Sequence, residues 1–457
     1  MLLSGLFESF LKARPICVMA RGVLERLLNP ERLDALFQRT AQQQYTRELL
    51  FSQLAALMSE VTFGQQPSVH AAYQSKKEEI GVSITALYNK LDRTENAVSA
   101  ELVRDSYREA TPVIEALQSR HTDLLAGYRV KFLDGNHLSA TEHRIKELRR
   151  TWAAALPGKA LVVLDQRHRL IENVFLCEDG HAQERRLIDE VLPTVQRKDL
   201  WIADRNFCTR DMIFGVARRG GSFLIRQHAL LQGHLIGTKV HKGQTDTGIV
   251  YEQQLLVTHP QTGEELNVRR ITIELKQKTR DGDHIIHLLT NVPEEDASAM
   301  VLSELYRKRW TIETVFFEIT TTLTCEVDTL GYPKAALFAF CLALLAYNAV
   351  AVIKAALQSR LGEQKVNEEV SPYYLALEIQ QTYDGMMVAI PAEHWQVFRE
   401  MPVKEFALLL KTIVGNVKLE KYKKHPRGPK KKPLQKTQYK NGSHVATSKI
   451  LAQRKAC

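Results

Sequence analysis

A run of nineteen residues, AALFAFCLALLAYNAVAVI (335–353), contains no charge. A helix that is apolar on every side has two homes. One is a bilayer, and the run is close to spanning length. The other is the interior of a protein large enough to surround it. The run stands alone, is rich in alanine and carries Asn348. A helix buried on all sides is therefore expected, and with it a large domain and no membrane partner; the alternative is a single membrane anchor. The 457 residues, 44% hydrophobic and 25% charged, supply enough chain for such a core and for two to four domains.

The pattern changes along the chain. Residues 1–125 read as helical. Asn29-Pro30-Glu31 joins a capping residue to a proline at the first helical position. In KKEEIGVSITALYNKLDR (76–93) a glycine separates two helical patterns, and Ser83 is placed to cap the second. A DNA-binding helix-turn-helix presenting Lys90 and Arg93, or a helical hairpin with no ligand, fits equally well. From 126 to 228 strands alternate with helices. YRVKFLDGNHL is a strand running into an Asp-Gly-Asn turn, KALVVLDQRHRLIENVFLCED is a hairpin, HAQERRLIDEVLPTVQ is a helix, and LWIADRNF is a strand ending at Asp204. Residues 229–292 are β-rich, 293–417 return to helix, and 418–457 form a tail. The expected class is α/β: a mixed sheet flanked by helices and interrupted by a β-rich insertion.

Charge is unevenly spread. The net charge is +10, yet residues 418–457 hold thirteen Lys and Arg against one acid, Glu420. The remainder is slightly acidic. The tail, with KKHPRGPKKKP, is expected to be disordered alone and to suit a polyanion, with Lys430, Lys431 and Lys432 as phosphate contacts. A solubilising tail without a partner is the alternative. The six cysteines are scattered without a Cys-x-x-Cys pair, which fits a reducing compartment and excludes a disulfide framework or zinc finger. The N-terminal stretch lacks the order of a signal peptide, so a cytoplasmic location is expected.

Three carboxylates carry the chemistry. Asp134 and Asp204 each end an apolar strand, and Glu313 lies on the returning helical stretch ELYRKRWTIETVFF (304–317). Neighbouring strands would bring the two aspartates together, and close carboxylates repel unless a cation lies between them. Mg²⁺, with Mn²⁺ as substitute, suits an all-oxygen set, and a pair of ions can clamp both oxygens of a phosphoryl displacement. Each acid also has an ordinary reading, as a turn residue or a solvated charge. Tyr306 and Arg309, seven and four residues before Glu313, would share its helix face. Arg309 could bind a phosphate or hold Glu313 in an ion pair. Arg205 and Asn206 could contact a nucleic-acid backbone. His137 and His168 read as hydrogen-bonded or surface histidines, and Tyr251 as a core residue.

These segments resemble the DDE transposases, whose catalytic core is ribonuclease-H-like, and in detail the bacterial insertion-sequence-four family. Its signature of Tyr, Arg, Glu and Lys matches at Tyr306, Arg309 and Glu313, while Thr320 replaces the lysine; FLDGNHL and IADRNF are similar to its two aspartate motifs. The resemblance implies that Asp134, Asp204 and Glu313 hold two Mg²⁺ ions. It also implies cleavage of double-stranded DNA at element ends, strand transfer into target DNA, a homodimer on DNA, and a β-stranded insertion within the 109-residue separation of Asp204 and Glu313. A nuclease unable to join strands and an inactive DNA-binding descendant remain alternatives.

Overall fold

A computed structural model describes residues 5–44, 48–119, 123–141, 145, 147–148, 153–279, 282–322, 327, 330–425 and 444–456. Among the described residues eleven strands appear in chain order: β1 (Arg129–His137), β2 (Ala154–Leu156), β3 (Lys159–Asp165), β4 (Leu170–Cys177), β5 (Asp199–Ala203), β6 (Ser222–Arg226), β7 (His234–Gln244), β8 (Gly248–Thr258), β9 (Glu265–Leu275), β10 (Ile285–Thr290) and β11 (His444–Ala446). Nine of them form one sheet, in the order β4-β3-β1-β5-β6-β10-β9-β8-β7. β1, β5 and β6 are parallel, and β3 runs antiparallel to both β1 and β4. β10 joins β6 antiparallel, so the β-rich insertion continues the same sheet rather than forming a separate body. The fold is thus a large mixed sheet flanked by helices, with a helical N-terminal region.

The uncharged run lies in the helix Pro333–Leu361, which is long and apolar enough to cross a membrane; 94% of its apolar window is buried inside the molecule. Its faces serve two cores. Phe338, Ala339, Leu342 and Leu345 pack with the N-terminal and C-terminal helices. Leu337, Phe340, Cys341 and Leu344 pack onto one face of the sheet, with Phe132, Val162 and Ile202. A helix between two cores needs apolar residues all round, which explains the absence of a polar stripe. Leu133, Val163 and Trp201 point to the opposite sheet face, covered by Ile188, Val191, Met212 and Ile213.

Asn348 is a fully buried amide within the uncharged run. Its Oδ1 accepts from the Ile171 N–H at 2.7 Å, and its Nδ2 donates to the Ile171 carbonyl at 3.0 Å and to Ser106 Oγ at 2.9 Å. β4 is an edge strand, and the amide supplies the hydrogen bonds that a tenth strand would have given.

Local signals act as their chemistry dictates. Asn29 and Ser83 cap the helices Pro30–Thr40 and Ile84–Leu91. Gly81 takes a left-handed φ of 68° between the two short helices of the 76–93 segment.

Four details differ from expectation. Asp134-Gly135-Asn136 is not a turn: β1 runs on to His137, because β3 keeps pairing with it after β5 has ended. The helix expected over 181–196 is broken into Glu184–Leu187, Ile188–Val191 and Leu192–Thr194, with Pro193 lacking the N–H that continuation requires. The signature helix is also broken, at Lys308–Arg309. In the tail, residues 444–446 form β11 in parallel with β2, followed by the helix Thr447–Ala456. The expected disorder therefore does not extend to that stretch, and Lys430, Lys431 and Lys432 lie outside the described residues.

Candidate active site

The parallel register of β1 and β5 pairs Leu133 with Ala203, so Asp134 and Asp204 are the next residues on adjacent strands. Pairing between these strands ends there, leaving both side chains at one edge of the sheet. Asp134 is largely buried and accepts from the Gly135 N–H at 2.9 Å. Asp204 caps the short helix Arg205–Phe207 by accepting from the Asn206 N–H at 2.8 Å.

Glu313 reaches the same edge from the helix Trp310–Thr322. The break before that helix decides where Arg309 points. Arg309, Thr311 and Ile312 donate to the carbonyls three residues back, a tighter turn than an α-helix. Tyr306 therefore lies in the last turn of one helix, Arg309 occupies the break and Glu313 lies in the first turn of the next, so the three do not share a single helix face. Arg309 Nη1 lies 3.3 Å from Asp134 Oδ2, and Nη2 lies 2.7 Å from Glu313 Oε1. One guanidinium spans the first and third acids. Tyr306 is half-buried against the sheet core and bonds to Arg309.

Burial dominates the electrostatics of Asp134. Burial pushes Asp134 up to about 7, and the charges of Asp204 and Glu313 add to the rise, while Arg309 and the Gly135 N–H oppose it. Burial works against the charge on Arg309, but Tyr306, Asp134 and Glu313 together outweigh it and raise its affinity for the proton.

Three carboxylates present only oxygen donors, so the set fits a hard divalent cation by its chemistry. Among the described residues no three His, Cys, Asp or Glu side chains are gathered closely enough to hold a metal ion. Here the counter-charge is the Arg309 guanidinium.

Glu184 is a residue that sequence reasoning missed. Its carboxylate packs where a side chain on Gly135 would begin: a Cβ there would lie 2.2 Å from Glu184 Oε1. It bonds to Asn206 and lies 3.8 Å from His137 Nδ1. Burial and then the charge of Asp204 raise its proton affinity. The signal lay in topology. β4 runs parallel to β1, so the chain leaves Cys177 at the edge carrying Asp134 and Asp204 and reaches Glu184 seven residues later.

The other nominated residues divide. Arg205 and Asn206 are exposed beside Asp204. Lys90 turns inward: its Nζ donates to the Leu49 carbonyl at 2.7 Å and lies 4.8 Å from the Phe37 ring centre. Arg93 is exposed. His137 contacts Lys159 Nζ at 3.0 Å, and His168 is paired with Asp165. Tyr251 carries Lys239 over its ring at 3.8 Å.

Residues 125–349 match the transposase DDE domain family. The DDE domain match contains Asp134, Asp204, Glu313 and the whole β-rich insertion, and it supports a transposase, an enzyme of the nuclease and transposase type that binds DNA. No curated protein matches the chain.

Proposed function

We propose that the chain is a cut-and-paste transposase of the insertion-sequence-four type, acting in the bacterial cytoplasm at the nucleoid. It would cleave double-stranded DNA at the ends of its element and join those ends to target DNA, as a homodimer on DNA. The observation that carries this reading is the match of residues 125–349 to the transposase DDE domain, supported by Asp134 and Asp204 following the last paired residues of β1 and β5 and by Arg309 bridging Asp134 and Glu313.

Asp134, Asp204 and Glu313 are the residues that would hold Mg²⁺, or Mn²⁺ in its place. Two such ions would activate the attacking oxygen and stabilise the leaving 3′ oxygen of the phosphodiester. Asp134 lies within β1 and Asp204 directly follows β5, which limits their reorganisation. Arg309 holds Glu313 beside Asp134, and a guanidinium is the kind of group that would contact a DNA phosphate. Arg205 and Asn206 stand beside Asp204 for backbone contact, with Tyr306 behind Arg309. Arg93 and the tail lysines 430–432 would add phosphate contacts outside the core.

A second reading, a DNA-binding descendant without cleavage, draws on Arg309 filling the place between two acids and on Thr320 standing where the family has lysine. Incubating the protein with pre-cut ends, target plasmid and Mg²⁺ separates the readings. Joined product supports the transposase; cleavage without joining leaves a nuclease; binding alone leaves the descendant.

A further inference from the structure

A cavity of about 290 Å³ opens in the helical part of the molecule, lined by Lys12, Arg14, Asn416, Lys418, Lys421 and Tyr422 with two apolar neighbours. Four cations and no acid line it. None of these residues belongs to the sheet edge that carries Asp134 and Asp204.

The cations are held differently. Arg14 Nη1 is fixed by Glu378 Oε1 at 3.1 Å, and that carboxylate is nearly buried. Tyr422 bonds to the same Glu378, so the buried acid orients two wall residues at once. Lys12 pairs with Glu8 at the surface. Lys418 and Lys421 are exposed, and no ion pair to a described residue holds either one. The helix Pro15–Leu27 starts at this wall without a side-chain cap, adding the positive end of a thirteen-residue dipole.

The root of the basic tail is also tied down here. Lys423 bridges to Val370, and the Lys424 N–H donates to the Glu369 carbonyl at 2.7 Å. Lys418 and Lys421 are therefore the first charges of the tail and are held at the cavity mouth.

We propose that this cavity seats a backbone phosphate of duplex DNA. A fixed guanidinium, free ammonium groups and an uncapped helix start suit a phosphate, and the volume admits its adjoining sugar. The choice of DNA over a small phosphate compound rests on the transposase reading above.

The test uses the full chain, the charge reversal K418E/K421E and the conservative K418R/K421R. Duplex affinity is measured without divalent metal across a salt series. Each lost phosphate contact should lower the slope of log affinity against log salt by about 0.9. The reversal is expected to lower it by about 1–2 and the arginine pair to preserve it. If the reversal lowers the melting temperature, K418Q/K421Q is read instead. An unchanged slope in a wild type that binds DNA overturns the cavity's role alone. A wild type that binds no duplex overturns the transposase reading and the DNA occupant together. Pyrophosphate that raises the melting temperature of the wild type but not of the variant, with the DNA slope unmoved, assigns the cavity to a small phosphate and overturns DNA.

Discussion

Arg309 stands between Asp134 and Glu313, 3.3 Å from one carboxylate and 2.7 Å from the other. Its guanidinium offers two nitrogens in one plane, which a single ammonium cannot reproduce. Arg309→Ala should lower DNA cleavage by about 10²-fold, a barrier change of about 3 kcal/mol, with duplex binding reduced far less. Arg309→Lys should not restore the rate. Single-turnover cleavage at saturating protein measures both, and a near wild-type rate in the lysine variant would show that the fork has no special role.

Gly135 and Glu184 should show strong coupling. A Cβ at 135 meets the Glu184 carboxylate. Gly135→Ala alone should destabilise the protein by about 1–3 kcal/mol, whereas Gly135→Ala with Glu184→Ala should recover part of that loss. Urea unfolding of both singles and the double closes the cycle, with an expected coupling of about 1 kcal/mol or more. Simple additivity would mean the two residues do not press on one another.

Asn348 should matter out of proportion to its size. Asn348→Leu keeps the volume but leaves the Ile171 N–H and carbonyl without their partner. The expected cost is about 1–3 kcal/mol for each buried group left unmade. Unfolding by urea reads the loss, and hydrogen exchange at Ile171 should rise with it.

Much of this was legible. The uncharged run pointed to a helix buried on all sides, and the alternating segments pointed to the sheet, because apolar patterning is local information. Strand-end acids could be placed at an edge for the same reason. Three things were not legible. The break at Lys308–Arg309 carries no glycine or proline, so nothing in the sequence interrupts the helical pattern there. The Asp-Gly-Asn stretch looked like a turn, and only the longer pairing with β3 keeps it extended. Glu184 reads as an ordinary acid in a first helical turn, and its place beside Gly135 depends on where β4 ends.

His168 gives the fold a pH dependence. Its Nδ1 lies 2.5 Å from Asp165 Oδ2, with Glu115 at 3.4 Å from Nε2 and Tyr107 bonded to the same aspartate. Burial pulls His168 down, but the bond and charge of Asp165 outweigh it and raise it above 6.5. Burial raises Asp165, yet His168 and the Arg167 N–H leave it below 3.8. The imidazolium's contribution is complete below 6.5 and is lost as pH rises through the higher folded value; the carboxylate's is complete above 3.8 and is lost as pH falls through the lower one. Stability from this pair should therefore be greatest between those two values and fall on the alkaline side. His168→Ala should flatten that alkaline fall in urea titrations at a series of pH values.

The most direct measurement compares cleavage of end-bearing duplex in Mg²⁺ by the wild type and by Asp134→Asn, Asp204→Asn and Glu313→Gln, with binding to the same duplex measured in parallel. Each variant should bind within a few-fold of wild type and lose cleavage by about 10³-fold or more, since an ion's charge stabilisation amounts to several kcal/mol. Cleavage near the wild-type rate in any one of the three would contradict the account.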